Sequence, residues 1–493
     1  MKKLFSKLTL MVGIVSLAGL VAAQSVQLPD MGGTSTRVLP PDAERTFPKD
    51  MERFLRASRV LIEDPMIRGF FEDMGFRLVA QSSRPSAHFH FFVINDPTIN
   101  AFAAPAGVIG LHTGLILTAH DESEVAGVVA HEIAHITQDH LARGMEQAQQ
   151  VSLPTMLATL GLALAAGAAG AGADAGQAIL MSGMGLAQQF QINHTRQAEA
   201  EADRIGIGLL ARSGYDPHGM TRFFERLNSV SRAMGQGPPE YLRTHPLTVN
   251  RIAEARDRAV SLKERELREP RDGEAFHFVQ ARLRALISQR PEQAEQFFKA
   301  RLQDGTRPEQ AMRYGLALTY VRERRLDEAA EQIEYLHSKD PDRQIYRLLE
   351  ADWLLASDQI DDSLKLLESL YNRYPGSRMV TTQYAEALMH EREPERAARA
   401  ADVLRRHLRR HPDDLPMTEL LARAADRAGE PVRATEALAE SYYMRGGVYE
   451  AIEQLERLIQ RDDLDYYQRA RITARIDELR AEQVRLGNAG RRR

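Results

Sequence analysis

The chain has 493 residues, too many for one ordinary core, so length alone predicts two to four domains. It is 43% hydrophobic and 27% charged with a net charge of −4, which gives no basic surface for nucleic acid, and no nucleic-acid partner is expected. The absence of cysteine excludes disulfides, thiolate metal ligands and a cysteine nucleophile, and cores of this size need no cross-links.

Lys2, Lys3 and Lys7 precede an apolar run from Leu8 to Val21, and Val21-Ala22-Ala23 supplies the small residues that a signal peptidase reads. Residues 1–23 are therefore expected to be a cleavable signal peptide, the run being short for a bilayer span. This implies export, and a two-lysine start suits a bacterial envelope protein with a periplasmic location. Pro29, Pro40, Pro41 and Pro48 predict an extended leader over residues 24–50.

From Met51 to Leu78 the apolar spacing predicts two helices broken at Pro65. His88 to Ile94 is aromatic and β-branched and predicts a strand. Further strand-like segments, Ala101–Ala104 and Val108–Leu111, flank Pro105-Ala106-Gly107. Glu122 to Met145 predicts one helix capped by Asp121 or Ser123. An Ala/Gly/Leu/Met tract follows, then a helix from Arg196 to Ser213 ending at Gly214, and two or three short helices between Pro217 and Arg256.

Beyond about Ala275 a repeat can be counted. Ala317, Ala351 and Ala385 are spaced by 34 residues; Ala329 and Ser363 follow the first two by twelve, and Pro341 and Pro375 follow by twelve more. Ala400/Pro412, Ala422/Ala434 and Ala439/Ala451 continue the twelve-residue pairing. Small residues at these offsets let two helices cross closely, and the proline stops the second helix, which is the pattern of tetratricopeptide repeats. The fold class expected is mainly α, with a helical domain carrying a small β-sheet over residues 51–270. An α-solenoid of tetratricopeptide repeats follows over 271–480, and a basic tail over 481–493.

The chemistry lies in His131-Glu132-Ile133-Ala134-His135. Four residues advance a helix by just over one turn, so both imidazoles project from one face about 6 Å apart at their roots, close enough to share one zinc ion. Glu132 stands beside the metal position, where it can act as the catalytic base. A catalytic zinc site keeps three protein ligands, so one more is needed. Glu199-Ala200-Glu201-Ala202-Asp203 offers it: one carboxylate to bind, another to accept the free N–H of a ligand histidine. Spacing leaves open which of Glu199 and Glu201 binds. His140, nine residues beyond His131, falls on the opposite face of a continuous helix and reads as structural.

These residues, with Ala202-Asp203-x-x-Gly206 and the segment Asn100-Ala101-Phe102-Ala103-x-Pro105-x-Gly107-Val108-Ile109, resemble the gluzincin peptidases related to HtpX and the CAAX prenyl protease. The signal peptide, Thr244-His245-Pro246 and the repeats bring the resemblance closer to an exported bacterial branch that combines a periplasmic zinc metalloprotease with a chaperone. The resemblance implies that Glu199 is the third zinc ligand, with His131 and His135, and that Asp203 is its supporting partner. It also implies that Asn100–Ile109 lies beside the cleft as an edge strand, able to pair with an extended peptide. Ala106 departs from the branch, which usually has a second glycine there.

His245 has three readings: stabiliser of the tetrahedral oxyanion, fourth zinc ligand holding the enzyme latent, or a residue merely capping the turn before Pro246. The apolar tract Leu153–Leu186 is expected to be a movable cover that touches membrane surface or partner; a transmembrane hairpin is the alternative. The concave face of the repeats predicts binding of protein segments. By resemblance, the partners are misfolded or stalled outer-membrane proteins and their assembly machinery, and the activity is zinc-dependent endopeptidase. The rival is a non-catalytic chaperone or scaffold that keeps the zinc fold for stability.

Overall fold

The computed structural model describes residues 41–147, 196–234, 238–262 and 273–491, all within one unit spanning Val38–Arg493. The expected signal peptide, the leader up to residue 40 and the Leu153–Leu186 tract lie outside the described residues. Among the described residues no helix is long and apolar enough to cross a membrane.

Helix α1 (Pro41–Ala57) starts inside the segment read as an extended leader. Its first proline needs no N–H donor at a helix start, and Pro48 costs only one backbone bond in the second turn. Phe47 and Leu55 repay this by packing on Phe92, Ile94 and Val108 of the sheet. Helix α2 (Pro65–Val79) begins at Pro65 as expected, with the Asp64 carboxylate accepting from the Met66 and Ile67 amides at 3.1 Å.

The sheet comprises β1 (His90–Ile94), β2 (Ala101–Ala104) and β3 (Val108–His112) in the order β1-β3-β2. β3 runs parallel to β1 and antiparallel to β2. Alternate residues of β1 serve opposite faces: Phe91 and Val93 join the main core, while Phe92 and Ile94 meet α1. Only Ala101–Ala104 of the expected edge segment is an edge strand; Val108 and Ile109 sit in the central strand, because β3 is clasped from both sides.

After helix α3 (Thr113–Thr118) comes α4 (Glu122–Thr137), capped by Asp121 and buried on nearly every side. The single helix expected to Met145 is broken. The chain turns at Asp139, φ +54, and restarts as α5 (His140–Gln147). Aspartate tolerates this left-handed conformation better than most residues. Helix α6 (Arg196–Arg212) crosses α4, and α7 (His218–Met234), α8 (Glu240–Thr244) and α9 (Val249–Ser261) complete this region.

Helix α10 (Glu274–Ile287) serves two cores at once. Phe276, Val279 and Leu283 belong to the first, Phe278, Ala281 and Ala285 to the second, so the peptidase part and the repeats share a helix. The array continues through α11 (Pro291–Asp304), α12 (Glu309–Arg322), α13 (Leu326–Lys339), α14 (Gln344–Ala356), α15 (Ile360–Arg373) and α16 (Arg378–Leu388). It ends with α17 (Pro394–Leu408), α18 (Leu415–Arg427), α19 (Pro431–Met444), α20 (Val448–Leu458) and α21 (Tyr466–Arg491). The counted small residues are buried at the crossings, and Ser363 Oγ donates to Ala351 O at 2.9 Å across one twelve-residue offset.

Residues 481–491 are the last turns of α21 rather than a basic tail. They are helical because they have a partner. Arg53 Nη1 on α1 donates to Glu482 Oε1 at 2.8 Å, and Arg485 reaches Asp50 at 3.0 and 3.2 Å. The Arg53 guanidinium also lies 4.0 Å above the Tyr443 ring of α19. The end of the array is thereby fastened to the first helix.

Candidate metal centre

Three helices meet at residues too small to hold them apart. A Cβ on Gly206 of α6 would stand 2.8 Å from Met220 Cε and 3.2 Å from the His131 amide nitrogen. Glycine here lets α6 lie directly on α4, which brings Glu199 and Asp203 to the two histidines. His131, Glu132, His135, Glu199, Asp203 and His245 are all buried.

One donor atom from each of His131, His135, Glu199 and His245 lies within 4.8 Å of the other three. His131 Nε2 is 2.9 Å from His135 Nε2, 3.4 Å from Glu199 Oε2 and 3.3 Å from His245 Nδ1. Glu199 Oε1 is 3.5 Å from His135 Nε2 and 3.2 Å from His245 Nδ1. A tetrahedron with arms of about 2.0–2.1 Å has edges of about 3.3–3.4 Å, so these separations suit a small four-coordinate cation such as zinc. Glu132 Oε1 has no hydrogen-bond partner among the described residues; its neighbour is His245 Nε2 at 3.4 Å. A buried carboxylate oxygen without a hydrogen bond, beside converging donors, fits a base kept for a reacting proton.

The surroundings carry negative charge inward. Burial would lower the His131 imidazolium, but Asp203 and Glu199 outweigh it and raise it to about 9. Burial likewise opposes ionisation of Glu199, yet His131 and His245 hold it far below the usual carboxylate range. Asp203 is also held low against its burial, by His131 and Arg251. A divalent cation would compete with the His131 proton for this charge.

Asp203 Oδ1 lies 2.9 Å from His131 Nδ1, the contact expected of a partner that fixes the ring. Spacing left Glu199 and Glu201 open, and the structure brings only Glu199 to the donor cluster. Glu201 faces His140 and Arg143 instead. His245 ends α8, and its amide donates to Tyr241 O at 2.9 Å. The Tyr241 amide in turn donates to Ile99 O at 3.1 Å, tying this element to the chain just before β2, and its ring lies 4.6 Å from the His245 ring.

Two residues escaped the sequence reading. Arg251 on α9 donates to Asp203 at 2.7 and 2.8 Å and to Pro246 O at 2.8 Å, and stands 2.9 Å from Glu199. Its signal was the short spacing after His245-Pro246, with Thr248 capping α9. His140, assigned to the far face, stands 2.8 Å from His135, because the break at Asp139 turns α5 back. The turn-prone Gln138-Asp139 pair was the available hint.

The family described as Peptidase family M48 matches residues 70–259. The Beta-barrel assembly-enhancing protease of Escherichia coli (strain K12) is 33% identical over 485 residues, 98% of this chain and 97% of that protein. Its namesake from Yersinia pestis is 34% identical over 463 residues, 94% of this chain and 93% of that one. The Mitochondrial metalloendopeptidase OMA1 of Arabidopsis thaliana is 33% identical over 154 residues, 31% of this chain and 28% of that protein. Among solved structures, yeast Tom70 overlaps at a TM-score of 0.28 and 13% identity over 73% of this chain and 88% of that one, which decides nothing. The match along almost the whole of the two beta-barrel assembly-enhancing proteases, together with the metal-type donor cluster, means that this chain belongs to peptidase family M48 and is a metallopeptidase with a helical-repeat array.

Proposed function

We propose that the protein is a periplasmic zinc endopeptidase that acts on misfolded or stalled outer-membrane proteins, with its repeats engaging their assembly machinery. Its domains would be a peptidase part over residues 51–270 and a repeat part from 271. The observation that carries this reading is the set of donor separations of 2.9–3.5 Å beside a Glu132 oxygen that makes no hydrogen bond. The substrate class rests on the full-length similarity to proteins named beta-barrel assembly-enhancing proteases.

In this reading His131, His135 and Glu199 hold zinc, which when bound supplies Lewis acidity toward a peptide carbonyl and makes water more acidic. Asp203, 2.9 Å from His131 Nδ1, would hold the ring proton on that side and leave Nε2 bare. Glu132 takes a proton from the attacking water and returns it to the leaving amine. The free side of β2 offers backbone groups that an extended substrate can pair with. His245, whose Nδ1 completes the donor set, would occupy the fourth position at rest and leave it when substrate enters.

The test is Glu132→Gln in the full chain. Zinc should stay bound at one per chain while cleavage of a denatured outer-membrane porin falls by about 10²–10⁴. Cleavage that persists unchanged would remove Glu132 from the mechanism. Full complementation of a deletion strain by the variant would favour the scaffold reading.

A further inference from the structure

His131 and His135 occupy equivalent places in the donor cluster, and each must present a bare Nε2 to it. For His131 the Asp203 carboxylate, with Oδ1 2.9 Å from Nδ1, favours the proton on that nitrogen. For His135 the contact on that side is with a histidine. Its Nδ1 lies 2.8 Å from the Nδ1 of His140, and His140 Nε2 lies 3.1 Å from Glu201 Oε2.

For a neutral His140 the protons along this chain have one consistent arrangement. An ionised carboxylate can only accept, so the His140 proton sits on Nε2, facing Glu201. His140 Nδ1 is then a lone pair and can only accept, so the shared proton belongs to His135 Nδ1. His135 Nε2 is left bare toward His131 and Glu199. The backbone is shaped to allow this. Asp139 takes φ +54 immediately before His140, and its carboxylate is clamped by Arg84, with Nη1 2.8 Å from Oδ1 and a second contact to Oδ2. At the far end Arg143 Nη2 donates to Glu201 Oε2 at 3.2 Å, fixing the carboxylate that His140 needs. His140 is buried although it is polar and outside the motif.

We propose that His140, oriented by Glu201, is a positioning residue that fixes the tautomer and ring of His135 for metal binding, as Asp203 does for His131. This rests on the zinc-site reading above, so the experiment tests the two separately. Zinc binding by the purified full chain is measured by competition with a chromogenic chelator, alongside the visible spectrum of the cobalt(II) form. Absence of stoichiometric zinc in the unaltered protein would refute the site itself.

Given zinc in the unaltered chain, His140→Phe keeps the volume and removes the acceptor, and should weaken zinc about 10–100-fold and shift the cobalt bands. His140→Asn puts an amide oxygen near the former Nδ1 and should recover affinity to within about threefold of the unaltered protein. Glu201→Ala, a half-buried position that should fold normally, is expected to weaken zinc by a smaller factor and move the cobalt bands in the same direction. Unchanged affinity in His140→Phe, or an Asn variant no better than Phe, overturns the proposal. If the Phe variant does not fold, unchanged zinc affinity and cobalt spectrum in Glu201→Ala overturn it instead.

Discussion

The Arg251 guanidinium meets the Asp203 carboxylate with both ends, Nε at 2.7 Å and Nη2 at 2.8 Å from its two oxygens. Its remaining nitrogen reaches Glu199 and the Pro246 carbonyl, so one cation braces both carboxylates at the donor cluster and the turn that carries His245. Arg251→Met would leave Asp203 and Glu199 buried without this charge. We expect a stability loss of about 3–5 kcal/mol and weaker zinc binding. Arg251→Lys keeps the charge without the fork and should fall between. Urea unfolding and chelator competition measure both effects; an unchanged Met variant would deny Arg251 this role.

His245→Ala separates the readings of that residue. As a fourth donor its loss should weaken zinc binding yet raise basal peptide hydrolysis, because the fourth position is freed. A fall in kcat of about 10²–10³ at normal zinc occupancy would identify an oxyanion stabiliser instead. Steady-state kinetics with a quenched peptide, run beside zinc titration, distinguishes them.

The fastening of α21 to α1 should be acid-sensitive. Burial opposes ionisation of Glu482, but Arg485 and Arg53 outweigh it and lower its pKa to about 2. A depressed carboxyl stabilises the fold above its unfolded value, about 4.3, and that contribution is lost as pH falls toward 2. Glu482→Gln should therefore be less stable than the unaltered chain at pH 7, with the gap closing as pH drops below about 4. Melting curves across that range check it; a gap independent of pH would refute the linkage.

Ala106 sits at φ +57 in the turn between β2 and β3, a left-handed conformation that favours glycine. An L-residue there costs about 1–2 kcal/mol, while glycine costs about 0.5–1 kcal/mol in lost chain freedom. The first term wins, so Ala106→Gly should stabilise by about 0.5–1 kcal/mol with zinc affinity unchanged. A lower melting temperature would contradict this.

The motif residues were legible because helix spacing alone converts sequence offsets into geometry, and the β1–β3 strands were legible from their β-branched and aromatic runs. The repeats were equally plain, since small residues must recur where helices cross. What spacing could not reveal depends on contacts between distant segments. The break at Asp139 is stabilised by Arg84, 55 residues earlier, and it alone moves His140 from the far face to His135. Arg251 stood outside every motif because its partners lie 48 and 52 residues back on α6. The helical state of residues 481–491 needed Asp50 and Arg53, which no local pattern could supply.

That last contact joins residues 429 positions apart, Arg53 and Glu482. A polypeptide grows from its N-terminus, so the charged face of α1 is finished first and its counterpart last. Until that stretch of α21 arrives, Asp50 and Arg53 lack the partners that Glu482 and Arg485 provide. A product cut short by a dozen residues keeps every metal donor, yet loses the clasp over the helix that backs the sheet.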